Sequence, residues 1–371
     1  MGPRLKPPFR ADHVGSLLRP KSVLKARTDR EAGKISAADL RRVEDAAVTS
    51  LVTMQEETGL QCVTDGEIRR RSFHMDFFYQ LGGVERAEAK VAVQFHGPGG
   101  DVPFALDGVR ITGKLGLPKT IFAEDFSYLK AMAKRATPKL TLPSPSLMHR
   151  RGGKLFEDGP YQGVDDFFAD LAAVYAREIA NLGKLGLTYL QLDDTTFATL
   201  CDPEQRAGMS KAGSDGEKMH LKYIKLVNGA LAGRPPGMTV CTHSCRGNYR
   251  SSWIARGGYD YLAEALFNEL NVDGFFLEWD DDRSGSFAPL RFLPKGKLAV
   301  LGLVSTKRGA LESKDDLKRR IDQAAKFAPL DQLCLSPQCG FASTVEGNDL
   351  TEAEQTAKLR LVVETAREVW G

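Results

Sequence analysis

The chain has 371 residues, 42% hydrophobic and 27% charged, a balance that excludes a disordered polypeptide and suffices for a large buried core. Its 51 lysines and arginines against 48 acids leave a net charge of +3 with no long basic block, which argues against nucleic acid as a partner. No stretch is long and apolar enough to span a bilayer, and the start "MGPRLKPPFR" has no apolar centre of a secretory signal, so a cytoplasmic location without membrane attachment is expected.

In chain order, short apolar and β-branched runs alternate with amphipathic stretches, the pattern of parallel βα units. The runs are "HVGSLL", "LQCVTD", "KLTLPS", "TYLQLDD", "MTVCTHS", "GFFLEWD", "KLAVLGLVS" and "QLCLSPQ". The clearest helical stretch is "ISAADLRRVEDAAVTSLVTMQEETG", where Ser36 suits the N-cap and Gly59 the C-terminal stop. Later ones are "VDDFFADLAAVYAREIANLG", "GEKMHLKYIKLVNGALAG", "SKDDLKRRIDQAAKFAP" and "TEAEQTAKLRLVVETAREVW". Eight such units predict an α/β fold, a (β/α)8 TIM barrel forming a single catalytic domain over 1–371. Positions 81–136 break the pattern: "VQFHGPGGDVPFALDGVRITGKLG" reads as hairpins around glycine turns, an insertion after the second strand.

Barrel chemistry gathers at the carboxyl ends of the strands, where the loops share one mouth. Ser16 follows the first run, Asp65 and Glu67 the second, Asp193 and Asp194 the fourth, His243 and Cys245 the fifth, Glu278 the sixth, Lys307 the seventh and Cys339 the eighth. All would ring one rim.

Of the six cysteines, Cys62, Cys241 and Cys334 sit inside apolar runs and read as buried core residues. With no secretory signal, a disulfide framework is not expected, and metal chemistry is the sharper question. His243 and Cys245 lie two apart at a strand end and face one side. A lone HxC pair is more often a core histidine beside a small buried thiol; adding Cys339 supplies the imidazole and two thiolates that zinc prefers. Glu278 directly follows "GFFL", where a carboxylate needs a partner, and a metal would be one. Asp280, Asp281 and Asp282 read as a solvated acidic turn. Asp65 and Glu67 stand beside Arg69, Arg70, Arg71 and His74. Those carboxylates suit a substrate ammonium group, while the arginines either form a salt-bridged loop or grip an acid.

The ordered motifs "HVGSLLRP", "DGE", "QLDD", "HSC", "LEWD" and "PQCG" resemble the carboxyl-terminal catalytic barrel of the cobalamin-independent methionine synthase family, in a short stand-alone form. The resemblance implies a Zn2+ cofactor held by His243, Cys245, Glu278 and Cys339. It implies that Ser16, Glu67 and Asp193 hold the amino and carboxyl groups of homocysteine. The implied reaction transfers a methyl group from methyltetrahydrofolate or another donor to the thiol, giving methionine, with Glu278 as the exchangeable ligand. Lys307 stands where the synthase carries a histidine proton donor, which makes it the second catalytic candidate. Phe95, His96, Phe104 and Arg110 in the insertion are candidates to stack on the donor. The partners implied are therefore small molecules. Two other readings are a zinc enzyme alkylating a different thiol, as in epoxide addition to coenzyme M, and a noncatalytic zinc-stabilised binding or methyl-carrier protein.

Overall fold

Seven short strands, each nearly all buried, line up in parallel because the chain alternates them with crossover helices. A computed structural model describes residues 4–88, 90–97, 100–151, 159–211 and 215–371. The first barrel strand, β1, spans Cys62–Val63. Four strands of an excursion follow: β2 (Gly82–Arg86), β3 (Val91–Gly97), β4 (Gly100–Leu106) and β5 (Val109–Gly116). The barrel resumes with β6 (Thr137–Pro143), β7 (Tyr189–Asp194), β8 (Thr239–Ser244), β9 (Gly274–Glu278), β10 (Leu298–Val304) and β11 (Leu333–Pro337). Sheet order is β1-β6-β7-β8-β9-β10-β11, so neighbours in the wall are also neighbours in the chain.

The eighth wall position differs from expectation. "HVGSLL" does not form a strand; the backbone just before it bridges β11 at Ala11–Leu335 and is tied there by Asp12 N–H donating to Leu335 O (3.0 Å). On the other side Thr64 Oγ1 donates to Gly15 O (2.6 Å) and Leu17 N–H to Gly66 O (3.0 Å). The barrel thus closes through irregular backbone. Gly15, at φ 138°, turns the chain there, and Asp12 and His13 bring buried polar side chains where a regular strand would carry aliphatic ones.

The excursion is also shorter than 81–136. Two antiparallel pairs, β2 with β5 and β3 with β4, cover 82–116, while Ala123–Met132 is the crossover helix that the sequence reading did not anticipate. Phe122, Phe126, Leu129 and Met132 form its apolar stripe, a short one that lies directly after the hairpins. Turn residues 98–99, part of the expected glycine turn, lie outside the described residues.

The five helical stretches named from the sequence form as helices, whereas Lys21–Glu31, Pro203–Lys211 and Ala263–Glu269 are further helices that the sequence reading does not name. Ala37–Thr58 starts with a capping box between Ser36 and Asp39 and stops at Gly59 in the left-handed region (φ 94°). Glu352–Trp370 has the same box between Thr351 and Glu354. No helix among the described residues is long and apolar enough to cross a membrane.

Inside the barrel, side chains of one parity stack inward. Tyr189, Cys241, Phe276, Val300 and Cys334 fill its interior with Phe9, Val14 and Cys62. Burial pushes the Cys334 thiol up to about 12 and Cys241 higher still, so these sulfurs remain thiols, as expected of core cysteines. The next inward positions along the same strands are the functional ones.

Candidate metal centre

Two residues beyond Tyr189 and Gln191 on the same inward parity comes Asp193; beyond Cys241, His243 and then Cys245; beyond Phe276, Glu278. Strand register sets Asp193 opposite His243, and Gly302 opposite Glu278. A Cβ at Gly302 would fall 2.7 Å from the Gln338 backbone and 2.8 Å from Leu277 O, so a glycine lets β9, β10 and the Cys339 loop close on one another.

The ligand atoms of His243, Cys245, Glu278 and Cys339 all lie within 4.8 Å of one another, and all four residues are buried. Neither ring nitrogen of His243 has a hydrogen-bond partner, a costly state for a buried imidazole. The Cys245 and Cys339 sulfurs are 3.4 Å apart. Their contact pulls the Cys339 thiol well below its usual range, with His243 adding to the effect, and pushes Cys245 well above its own. An imidazole, two sulfurs and a carboxylate converging on one point fit a tetrahedral metal site.

Glu278 approaches from behind. One carboxylate oxygen accepts from the Arg246 backbone N–H (2.8 Å) and the other faces the Arg283 guanidinium at 3.5 Å. Burial pushes its carboxyl up, against the pull of Lys307 and Arg283. Arg283 also binds Asp280 (3.0 Å), so Asp280 orders this flank rather than being a solvated acid; Asp281 and Asp282 are exposed as expected. Lys307 is not on the cavity wall. Its ammonium is buried without a hydrogen-bond partner, and its charge bears on Glu278 and the two cysteines.

The open side of the cluster is a cavity of about 660 Å³, solvent included, onto which Ser16, Glu67, Asp193, His243, Cys245 and Cys339 all face. Glu67 is held at φ 58°, an uncommon conformation for a side chain with a Cβ. Thr141 Oγ1 donates to one of its oxygens (2.7 Å), and Arg70 stands 3.5 Å from the same atom. The other oxygen is buried and has no partner. Burial pushes Asp193 up to about 7, with the Glu67 charge adding to the rise. Two carboxylates facing one cavity, one with an unused acceptor, are prepared for a cation.

Other candidates separate. Asp194 accepts from Thr196 N–H, Thr196 Oγ1 (2.7 Å) and Phe197 N–H (2.9 Å), and Asp65 from Glu67 N–H (2.9 Å), so both shape loops. Arg69 is bound to Asp45 and Asp125, Arg70 to Thr141 and over the Phe122 ring, and Arg71 to Glu31; none faces the cavity, and the salt-bridged reading holds. His74 does face it, with Nδ1 at 2.9 Å from Ser72 Oγ. Of the four stacking candidates, Phe95 and Phe104 face the cavity. His96 turns out to Asp101, and Arg110 is exposed and paired with Glu85.

The β3–β4 hairpin reaches the mouth because His96 and Trp253 exchange backbone hydrogen bonds of 2.6 and 2.9 Å. This seats Phe95 and Phe104 against Tyr249, with ring centroids 5.3 and 4.2 Å apart. Tyr249 and Asn248, both on the wall, escaped the sequence reading although they lie three and four residues past Cys245. An aromatic in a loop carries no periodic signal. Asn248 Nδ2 donates to Gly340 O (2.7 Å), tying the Cys245 and Cys339 loops together.

Comparison with known proteins bears on the chain as a whole. Residues 9–368 match the family model for the catalytic domain of cobalamin-independent synthase. The chain is 46% identical over 368 residues to the uncharacterized protein YxjG of Bacillus subtilis, covering 99% of this chain and 96% of that one. It is 24% identical over 333 residues to a methionine synthase of Pyrococcus abyssi, covering 88% and 85%. A crystal structure of a putative vitamin-B12 independent methionine synthase from Listeria monocytogenes superposes with a TM-score of 0.78 at 36% identity, covering 98% of both chains.

Proposed function

Because the chain belongs to the family of cobalamin-independent methionine synthase catalytic domains, we propose that it is a zinc-dependent methyltransferase converting homocysteine to methionine. One observation carries the reading: three of the four clustered ligands, His243, Cys245 and Cys339, face one cavity together with the Glu67 and Asp193 carboxylates. A free thiol, with a reference pKa of about 8.5, is mostly protonated at neutral pH. Zinc, when bound by His243, Cys245, Glu278 and Cys339, supplies a Lewis acid that favours the substrate thiolate.

The rest is work of the chain itself. Glu67 and Asp193 take the ammonium of homocysteine, and the Ser16 hydroxyl takes its carboxylate, which turns the sulfur toward the cluster. Charge from that ammonium stabilises Asp193 as a carboxylate. Glu278 would be the ligand to give way, because the charges of Lys307 and Arg283 favour its ionised form even without a metal. Lys307 acts on the ligand set from outside the cavity, not as a proton donor within it. Alignment and an ionised nucleophile are what a methyl displacement needs.

A thiol carrying a sulfonate, such as coenzyme M, calls for cations, and among the described residues no lysine or arginine lines the cavity. A closed structural zinc site would have no reason to border a cavity that also presents the Glu67 and Asp193 carboxylates. The test is methionine formation by purified zinc-loaded protein from homocysteine and a panel of methyl donors, alongside metal analysis. About one zinc per chain and methionine from at least one donor are expected; full activity in metal-free protein would remove the mechanism.

A further inference from the structure

Besides the two carboxylates, the cavity carries an aromatic wall made by Phe95 and Phe104 of the β3–β4 hairpin and Tyr249 of the loop after β8. Phe95 and Tyr249 are nearly fully buried. Aromatic faces carry negative potential and attract cations, more so when desolvated. The fixed charges agree with that preference: Glu67 and Asp193 are acidic, and among the described lining residues there is no lysine or arginine to receive an anionic tail.

From this we infer that the methyl donor is a small onium cation, its methyl carried on a sulfonium or quaternary ammonium centre, bound with that centre against Phe104 and Tyr249. The inference rests on the homocysteine methyltransferase reading above and names the class of its second substrate. The step balances without a proton. The homocysteine thiolate gives an electron pair to the methyl carbon, forming a new C–S bond. The bond from that carbon to the onium atom breaks with its pair going to that atom, which departs in a neutral thioether or amine group. The thiolate and the onium centre both become neutral.

Two measurements test this. In the first, zinc-loaded protein receives homocysteine with S-methylmethionine, dimethylsulfoniopropionate, glycine betaine or methyltetrahydrofolate. Methionine from a sulfonium or from betaine, with kcat/KM about tenfold or more above methyltetrahydrofolate, is expected. Methionine from methyltetrahydrofolate but from none of the three onium donors would overturn the inference and leave the proposed function intact. Methionine from none of the donors would count against the proposed function. The second measurement is independent of turnover: calorimetric binding of trimethylsulfonium against neutral dimethyl sulfoxide, which has a similar pyramidal shape. Preference for the cation by about tenfold, reduced in Phe104→Leu and Tyr249→Leu, is expected. Equal affinity for the two probes, or no change in either variant, would overturn it. Both variants should also raise KM for the onium donor more than KM for homocysteine, a split that a general loss of structure would not produce.

Discussion

The sulfurs of Cys245 and Cys339 lie 3.4 Å apart although 94 residues separate them in the chain. Each sits just past the end of a different strand, β8 and β11, so two separate loops bring both sulfurs within reach of one metal ion. Cys245→Ser and Cys339→Ser each replace a soft thiolate by a hydroxyl that ionises far less readily. Zinc measured by atomic absorption should fall from about one per chain to near zero in each variant, and activity with it. Retention of full zinc in either would remove that residue from the ligand set.

Glu67 makes a separable prediction. Its unpartnered oxygen is offered to the substrate ammonium, and its other oxygen is held by Thr141. Glu67→Gln keeps the shape and the Thr141 contact but removes the charge. A hydrogen bond to a charged group is worth about 1.5–3 kcal/mol, so kcat/KM for homocysteine should drop by about 10- to 100-fold. Zinc content should stay unchanged, which distinguishes substrate grip from site collapse.

What the sequence made legible follows from where information is periodic. His243, Glu278 and Asp193 continue the inward parity of strands whose lower positions are Cys241, Phe276 and Tyr189, so strand alternation alone points them at one mouth. Loop residues have no such rule. Tyr249 is placed by a hairpin bond between His96 and Trp253, a contact between segments far apart in the chain. The role of Lys307 was likewise out of reach: its position after β10 put it on the rim, but only packing decides that its ammonium is buried, close enough for its charge to act on Glu278, and off the cavity wall. The eighth wall position failed because Asp12 and Gly15 close the barrel by hydrogen bonds rather than by a strand.

Gly340, directly after the ligand Cys339, links the metal cluster to the substrate grip. A Cβ at this position would fall 1.9 Å from Ser16 Oγ and 3.1 Å from Ser16 Cβ. Gly340→Ala should therefore displace the Ser16 hydroxyl, cost about 1–3 kcal/mol of stability in denaturant unfolding, and raise KM for homocysteine. Adding Ser16→Ala removes the clashing oxygen. The double variant should regain most of the stability but none of the homocysteine affinity, a non-additivity expected of residues in contact. Additive losses of stability in the double variant would show that the two positions do not press on each other.

Away from the centre, Glu178 gives a pH signature to the fold. It sits on the Val164–Lys184 helix, fully buried, with one oxygen accepting from Ile121 N–H (2.9 Å) and the other without a partner. Burial pushes its carboxyl up to about 7 from 4.5, against the pull of the Ile121 and Phe122 amides. A carboxyl raised on folding is favourable while protonated in both states, below pH 4.5. That advantage declines as the unfolded chain ionises and the folded one does not, and it is gone once pH passes about 7. The whole window is worth up to about 3 kcal/mol, from 1.36 kcal/mol per pH interval of one. Glu178→Gln stays neutral and keeps an acceptor for Ile121, so its stability should lack this decline. Measured by urea unfolding, the variant should gain on the wild type between pH 5 and pH 8. Parallel pH profiles would mean that Glu178 is ionised throughout and that water or a shift of the 121–122 backbone satisfies its second oxygen.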